Sequence, residues 1–426
     1  MYSNYFFVYI EKERITVLKI KDFSILDCID DDREWEEFFE YKLQKGNLSK
    51  REKEGFKRYI EDKEYIRIKC MIDSGSFPNE FPKKTIISKE GTTKKRIVYT
   101  FSEDINITLK FIAYKLYKYD YLFESNCYAF RRDYGVSNAL KRILRNPSFK
   151  DYYCFKADIS NYFNSINIDI LKEMMSEIRS DEKELFDLII KILEENKVLI
   201  NETVTEDESH GAMAGVPFSP FLANIYLKDV DEYFMENKIE YFRYSDDILI
   251  FAKDYESLLE YQKLLYAKLG EKHLKINESK VFFANPGEEW EFLGFKYSDG
   301  QFDLSENTKR KIKKKIKRKA DALRRWQRKK GLDGEKAAIG FVRAMNRKFF
   351  GYDEEDDFTW SKWFFPNLTT DKGLKEIDKY MQEYIRYAVT GRHYKGNYRI
   401  EYETMKKWGY RNLVNEYYKV KNSISR

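Results

Sequence analysis

Apolar positions change their spacing from one region of the chain to the next. Residues 1–72 begin with a strand-like pattern and turn helical and charged, as in DDREWEEFFEYKL. Residues 73–150 are mixed, and residues 151–300 alternate short apolar runs with helical segments. Residues 351–426 are rich in aromatics spread over several helical patterns. Between them, residues 305–330 hold Ile312, Ile316, Leu323 and Trp326 at helical multiples, with Ala320 inside the series. That spacing predicts an amphipathic helix with a narrow apolar stripe and a strongly basic opposite face. Ser305 or Asn307 is placed to cap it and Gly331 to end it.

One strand pair stands out. In YFRYSDDILIFAK, residues 241–253, EYFRYS and ILIFA each have strand character, and Asp246 and Asp247 fall at the expected reversal. An acidic turn is one reading, since Asp tolerates turn geometry. Tight hairpins favour Asn-Gly or Asp-Gly over Asp-Asp, however, and ILIF is apolar on both faces, which puts the hairpin inside the fold. Two near-buried carboxylates repel unless a cation sits with them, and hard oxygen donors suit magnesium. This stretch alone leaves both readings open. Asp158, at the end of the apolar run in YYCFKADISNYFNSIN, adds a third acid. It reads as a helix cap or as the remaining member of a set for two magnesium ions. Such ions, about 3.5–4 Å apart, activate an attacking hydroxyl and stabilise a leaving oxygen, which is the chemistry of nucleotidyl transfer.

Composition narrows the classes. A chain of 426 residues with 35% charged and 17% aromatic residues builds a folded core of several domains and is not disordered. Cys28, Cys70, Cys127 and Cys154 are widely spaced, without a CxxC pair, as expected for reduced thiols in a cytoplasm. No apolar run of about 18 residues exists to span a membrane, and the N-terminus lacks signal-peptide features. The net charge is only +6, so basic surfaces are local. The histidines His210, His273 and His393 form no metal pattern.

FKADISNYF, GVPFSPFLANIYL and YSDD, followed by LKINESK and EFLGF, resemble the successive palm motifs and primer grip of reverse transcriptases. Upstream, KEGTTKKRIVYTFSEDINITLKFIAYKL and YAFRRDYG resemble the fingers of the bacterial enzymes. These include the group II intron, retron and abortive-infection types. The resemblance covers residues 80 to 300 in detail and implies an α+β right-hand polymerase with fingers, palm and thumb. In that reading residues 1–72 are a helical N-terminal extension and 73–150 are fingers. Residues 151–300 are palm with a fingers insertion near 170–205, 301–350 are thumb, and 351–426 are a mostly helical RNA-binding region.

The resemblance implies roles. Asp158 and Asp246 become the principal magnesium ligands, with Asp247 a less direct one. Phe163, five residues after Asp158, matches an aromatic gate that rejects a ribose 2′-hydroxyl; core packing beside Tyr162 is the other reading. Lys89 and Arg96 match a fingers hairpin that grips the incoming triphosphate, with Lys94 and Lys95 leaving the register open. Lys280 matches a palm lysine that protonates departing pyrophosphate, or is a solvated lysine. Ala214 and Gly215 lie at the nucleotide; the family commonly has Gln where Ala214 stands, so one polar contact to substrate is missing. The helix over 305–330 fits the first thumb helix, with Lys314, Lys317, Arg318 and Arg325 on the duplex backbone. Some of Arg392, His393, Lys395 and Arg399 suit structured RNA. The whole implies a magnesium-dependent, cytoplasmic RNA-directed DNA polymerase. It would copy a partner non-coding RNA into cDNA from dNTPs in antiphage defence. Template-independent synthesis and a non-catalytic RNA scaffold are the alternatives, and the sequence leaves oligomeric state open.

Overall fold

A computed structural model describes residues 24–46, 48–88, 95–207, 211–351 and 359–424. The strand-like opening expected near the N-terminus, Lys89 and Lys94 lie outside the described residues. Among the described residues eleven strands follow in chain order: β1 (Lys83–Ser88), β2 (Lys95–Thr100), β3 (Tyr153–Asp158), β4 (Lys197–Ile200), β5 (Thr203–Glu206), β6 (Glu240–Tyr244), β7 (Asp247–Ala252), β8 (Phe282–Ala284), β9 (Trp290–Phe292), β10 (Phe295–Ser298) and β11 (Gln301–Leu304). They form three sheets among many helices, an α+β fold.

The central sheet has the order β6-β7-β3-β8 and is antiparallel throughout. Its strands are apolar on both faces because each face has its own core. Phe155, Ala157, Ile248 and Ile250 belong to one core, and Cys154, Leu249 and Phe251 to the other. The first core reaches the N-terminal helices Asp32–Lys45, Lys50–Glu61 and Glu64–Asp73. There Trp35 is fully buried and stacks on Phe111 at 4.2 Å and on Tyr65 at 5.3 Å. Ser49 and Glu52 close a capping box on the second of these helices. The helical, charged character expected for this part of the chain is observed.

A second sheet has the order β2-β1-β4-β5. The β4–β5 hairpin comes from the segment near 170–205 and joins β1 in parallel through Lys83 and Leu199. The third sheet, β11-β10-β9, leads into the basic helix Glu306–Lys330. Ser305 accepts from the Thr308 amide and Gly331 ends the helix at φ 63°, the left-handed cap that glycine adopts freely. Ile312, Ile316 and Ala320 are buried as the stripe predicts, but Trp326 is 45% exposed. The buried part of the stripe therefore ends short of Trp326.

The helices Glu306–Lys330, Gly334–Phe350 and Lys372–Thr390 pack mutually. The division drawn at residue 350 thus runs through one packed unit. Buried Asp378 fastens the last helix to it, accepting from Leu413 N at 2.9 Å, Val414 N at 3.0 Å and Tyr410 Oη at 2.7 Å. All four cysteines are free, with Cys127 and Cys154 buried. Among the described residues no helix is long and apolar enough to cross a membrane.

Candidate active site

The three aspartates meet at one end of the central sheet. Asp158 closes β3 and Asp247 opens β7, and the two are directly paired across the ladder. Tyr244 pairs with Asp247, so the turn is Ser245–Asp246, one residue earlier than Asp246–Asp247. Ser245 takes φ 60°, the left-handed first position of a tight hairpin. Asp247 is drawn into the strand because β7 must extend far enough to reach the end of β3. The Ile159 amide donates to the Asp246 carbonyl at 3.0 Å and locks the turn onto β3.

Asp158 is only 5% exposed. The Lys280 ammonium forms an ion pair with its Oδ2. Asn277 donates to the Asp158 carbonyl through its amide at 2.8 Å and to Oδ1 through its side chain at 3.4 Å. Burial, then the neighbouring charges of Asp247 and Asp158, push the Asp246 carboxyl up to about 6, while Lys280 opposes the rise. Among the described residues no group of three His, Cys, Asp or Glu side chains is closed into a ready metal cage. The donor set nevertheless fits a hard divalent cation: three carboxylates gather at one end of the sheet, the charges of Asp247 and Asp158 both act on Asp246, and Lys280 compensates charge at Asp158.

Behind the turn lies a polar network that the sequence reading did not single out. Arg243 and Asp231 are both completely buried and form a bidentate ion pair. The same guanidinium donates to Asn224 Oδ1 at 3.2 Å, the Ser245 carbonyl at 3.4 Å and Cys127 Sγ at 3.1 Å. Asn224 in turn donates to the Ala129 carbonyl at 2.6 Å, and the Tyr128 amide to the Arg243 carbonyl at 2.9 Å. The carboxylate turn, the helix Ser219–Tyr226, the helix Lys228–Glu236 and the loop 126–129 are therefore tied to one guanidinium. An arginine inside the aromatic YFRY run was the available signal, because a charge there requires a buried partner.

Phe163 is half-buried. Its ring lies 5.8 Å from Tyr162 and 6.1 Å from Phe130, so it has core contacts as well as an open side. The segment 211–215 runs along its backbone. Ala212 N donates to the Phe163 carbonyl at 2.8 Å and Ala214 N to Asn164 Oδ1 at 3.3 Å. On the other side, Tyr99 N of β2 donates to the Ala214 carbonyl at 2.8 Å. Gly215 has φ 108°, and a Cβ there would lie 2.7 Å from the Tyr99 carbonyl, so only glycine lets the segment approach β2. Ala214 thus contributes backbone bonds to both neighbours and no polar side chain. Arg96 is exposed on β2, opposite Ile87.

On the basic helix, Lys314, Lys317, Arg318 and Arg325 are all exposed. At 3.6 residues per turn, Lys314, Arg318 and Arg325 fall opposite the buried stripe and Lys317 to one side. Lys314 and Lys317 border a groove of about 330 Å³ shared with Lys313, Glu376 and Tyr380. Other basic groups of the helix serve the fold: Lys309 and Lys313 pair with Glu376, and Arg324 donates to the Val389 carbonyl at 3.0 Å and that of Thr390 at 3.2 Å. Arg392, His393, Lys395 and Arg399 are exposed, as are Tyr394 and Tyr398 nearby, while Tyr410 and Tyr417 are core.

The family model for reverse transcriptase (RNA-dependent DNA polymerase) matches residues 82–297, half of the chain. The Escherichia coli retron Ec83 reverse transcriptase is 29% identical over 161 residues, which cover 34% of this chain and 48% of that protein. The chain therefore spans about half the length of this curated relative. Two telomerase structures are also similar. One, from Candida albicans with a fragment of telomeric RNA, has a TM-score of 0.42 and 12% identity, covering 82% of this chain and 68% of its own. The other, apo telomerase from Candida tropicalis, has a TM-score of 0.44 and 11% identity, covering 78% of this chain and 60% of its own.

Proposed function

The chain belongs to the reverse transcriptase (RNA-dependent DNA polymerase) family, with its right-hand fold, and from that premise we propose that it is an RNA-directed DNA polymerase adding dNTPs to a primer 3′ end. The observation that carries the proposal is the Asp158–Asp247 rung with Asp246 beside it, raised by burial and then by its like-charged neighbours. Asp158 and Asp246 would hold two magnesium ions, with Asp247 in support. When bound, the ions activate the primer hydroxyl and stabilise the departing oxygen.

The remaining groups bind, orient and move a proton. Arg96, with Lys89, grips the triphosphate. Phe163 stands against the sugar and excludes a 2′-hydroxyl. Lys280 Nζ gives a proton to departing pyrophosphate once nucleotide binding draws it from Asp158. Lys314, Lys317, Arg318 and Arg325 follow the duplex backbone without reading sequence. In this reading residues 73–150 are fingers, 151–300 palm and 301–350 thumb. Residues 1–72 are an N-terminal extension, and 351–426 hold structured RNA.

The likeness to a retron reverse transcriptase supports an RNA template and a cDNA product; the template in this reading is a partner non-coding RNA, copied in the cytoplasm in antiphage defence. Template-independent synthesis is the second reading, favoured by Ala214, whose backbone is engaged on both sides and which offers no side-chain contact to a templated nucleotide. The test is magnesium-dependent dNTP incorporation on primed RNA, with sequencing of nucleic acid that co-purifies. Asp246→Ala with Asp247→Ala should lower incorporation roughly a thousandfold or more, the scale of losing preorganised charge stabilisation. Near-wild-type incorporation by that variant overturns the proposal. Product that matches no bound RNA moves the reading to untemplated synthesis.

A further inference from the structure

Phe130, in YAFRRDYG, adopts φ 58°, a left-handed conformation uncommon for a bulky side chain. The chain on both sides is fixed. The Ala129 carbonyl accepts from Asn224 Nδ2 at 2.6 Å. The Arg131 guanidinium donates to the carbonyls of Glu124 at 2.7 Å, Cys127 at 3.1 Å and Asp120 at 3.1 Å. Strain of this kind persists where the surroundings over-determine it, and it clusters at functional sites. What the conformation achieves is a direction for the ring. Phe130 meets Phe163 edge-on, with centroids 6.1 Å apart and planes at 69°. It also lies 6.4 Å from Tyr244, the residue that precedes the Ser245–Asp246 turn. Tyr162 braces the other side of Phe163, and its own hydroxyl is held by the Ala223 carbonyl.

We propose that Phe130 is a positioning residue that sets sugar selectivity: its ring fixes Phe163 against the nucleotide ribose and ties that wall to the carboxylate turn through Tyr244. The inference rests on the polymerase reading above. A wall excludes a 2′-hydroxyl only if it cannot turn aside. Phe163 is half-buried, so its open side leaves room to rotate unless a neighbour blocks it. The edge-on contact with Phe130 supplies that block, since aromatic pairs prefer this geometry. Discrimination is then a property of the Phe163–Phe130–Tyr244 set, and removing either phenyl ring should degrade it by the same route.

The experiment measures kcat/KM for a dNTP and the matching rNTP on one primed template. It compares wild type, Phe130→Leu, Phe130→Met, Phe130→Tyr, Phe163→Val and the Phe130→Leu/Phe163→Val double variant, with melting temperatures alongside. Phe130→Leu and Phe130→Met should lower the dNTP preference about fivefold to tenfold, chiefly through a lower KM for the rNTP. Phe130→Tyr should keep the wild-type ratio. The double variant should discriminate no worse than Phe163→Val alone, because contacting residues are not additive. Two results overturn the inference while leaving the polymerase reading intact: an unchanged ratio in both Phe130→Leu and Phe130→Met, or losses that multiply in the double variant. A wild type that incorporates neither nucleotide overturns the polymerase reading and this inference with it.

Discussion

The turn between β6 and β7 and the helix Glu306–Lys330 both concentrate charge of one sign, and they hold it in opposite ways. At the turn, two adjacent carboxylates and Asp158 sit at the edge of a core, and burial first, then their mutual repulsion, lifts Asp246 to about 6. On the helix, a longer run of cations is spread around an exposed surface, where water screens it and two lysines are shared with Glu376. Like charge in a low-dielectric site stores free energy that a bound cation can release. Like charge in water stores little and acts by attracting a polyanion. The first needs a rigid frame; the second tolerates motion.

The frame is where the contrast breaks most sharply. Asp231→Ala leaves Arg243 buried without its counter-ion and should cost about 3–5 kcal/mol, read by urea unfolding. An exposed pair such as Lys406 with Glu403 should cost under about 1 kcal/mol when removed. Comparable losses at both sites would erase the distinction drawn between them.

Within the helix the same contrast is testable without charge. Ile316→Ala should destabilise by about 2–5 kcal/mol, since Ile316 is fully buried. Trp326→Ala, at a site 45% exposed, should stay within about 1 kcal/mol, far below the cost of truncating a buried tryptophan. A larger penalty at Trp326 than at Ile316 would mean that the stripe continues along the helix after all.

The stored repulsion at the turn has a sign in pH. The folded-state value near 6 for Asp246 exceeds the roughly 3.9 of a free aspartate. The folded protein therefore holds the proton more tightly than the unfolded chain does. That contribution is fully favourable in acid, declines as pH rises from about 4 to about 6, and is level above that. Asp246→Asn, measured in EDTA, should gain stability relative to wild type over this window, by up to about 3 kcal/mol at pH 7.5. Added magnesium should narrow the gap by stabilising wild type more. A stability difference that does not vary with pH would show that the acids are not strained in the metal-free state.

The smallest effect on folding falls on the basic face. Reversing charge at Lys314, Lys317 and Arg318 should leave stability nearly unchanged. It should flatten the slope of log affinity against log salt for a duplex by about 2–3, because each phosphate no longer neutralised by a side chain keeps its counterion. An unchanged slope would turn this face away from nucleic acid.

Patterns of local origin are legible in the chain. The basic helix and its Gly331 stop follow from spacing and capping chemistry alone, which narrow the cap to Ser305 or Asn307; the structure places it at Ser305. The strands around Asp158 and Asp247 follow from short apolar runs, and the order of the motifs from FKADISNYF to EFLGF carries the family resemblance. Register is harder: the turn falls at Ser245–Asp246, because β7 pairs with β3 as well as β6 and that second partner fixes where the strand begins. Period alone places Trp326 in the core, but burial depends on how far the neighbouring helices reach. The Arg243–Asp231 pair and the Phe130–Phe163 contact join residues 12 and 33 positions apart. Neither follows from periodicity, which reports which face a side chain occupies and not what stands opposite it. The elements, their stops and the apolar runs that end in Asp158 and surround Asp246 and Asp247 could thus be read from residue order, since these depend on neighbours a few positions away. Which strand is paired on both sides, which charges are buried and which ring braces Phe163 were settled by packing in three dimensions, because a buried charge or a strained backbone is stable only where distant segments supply its partners.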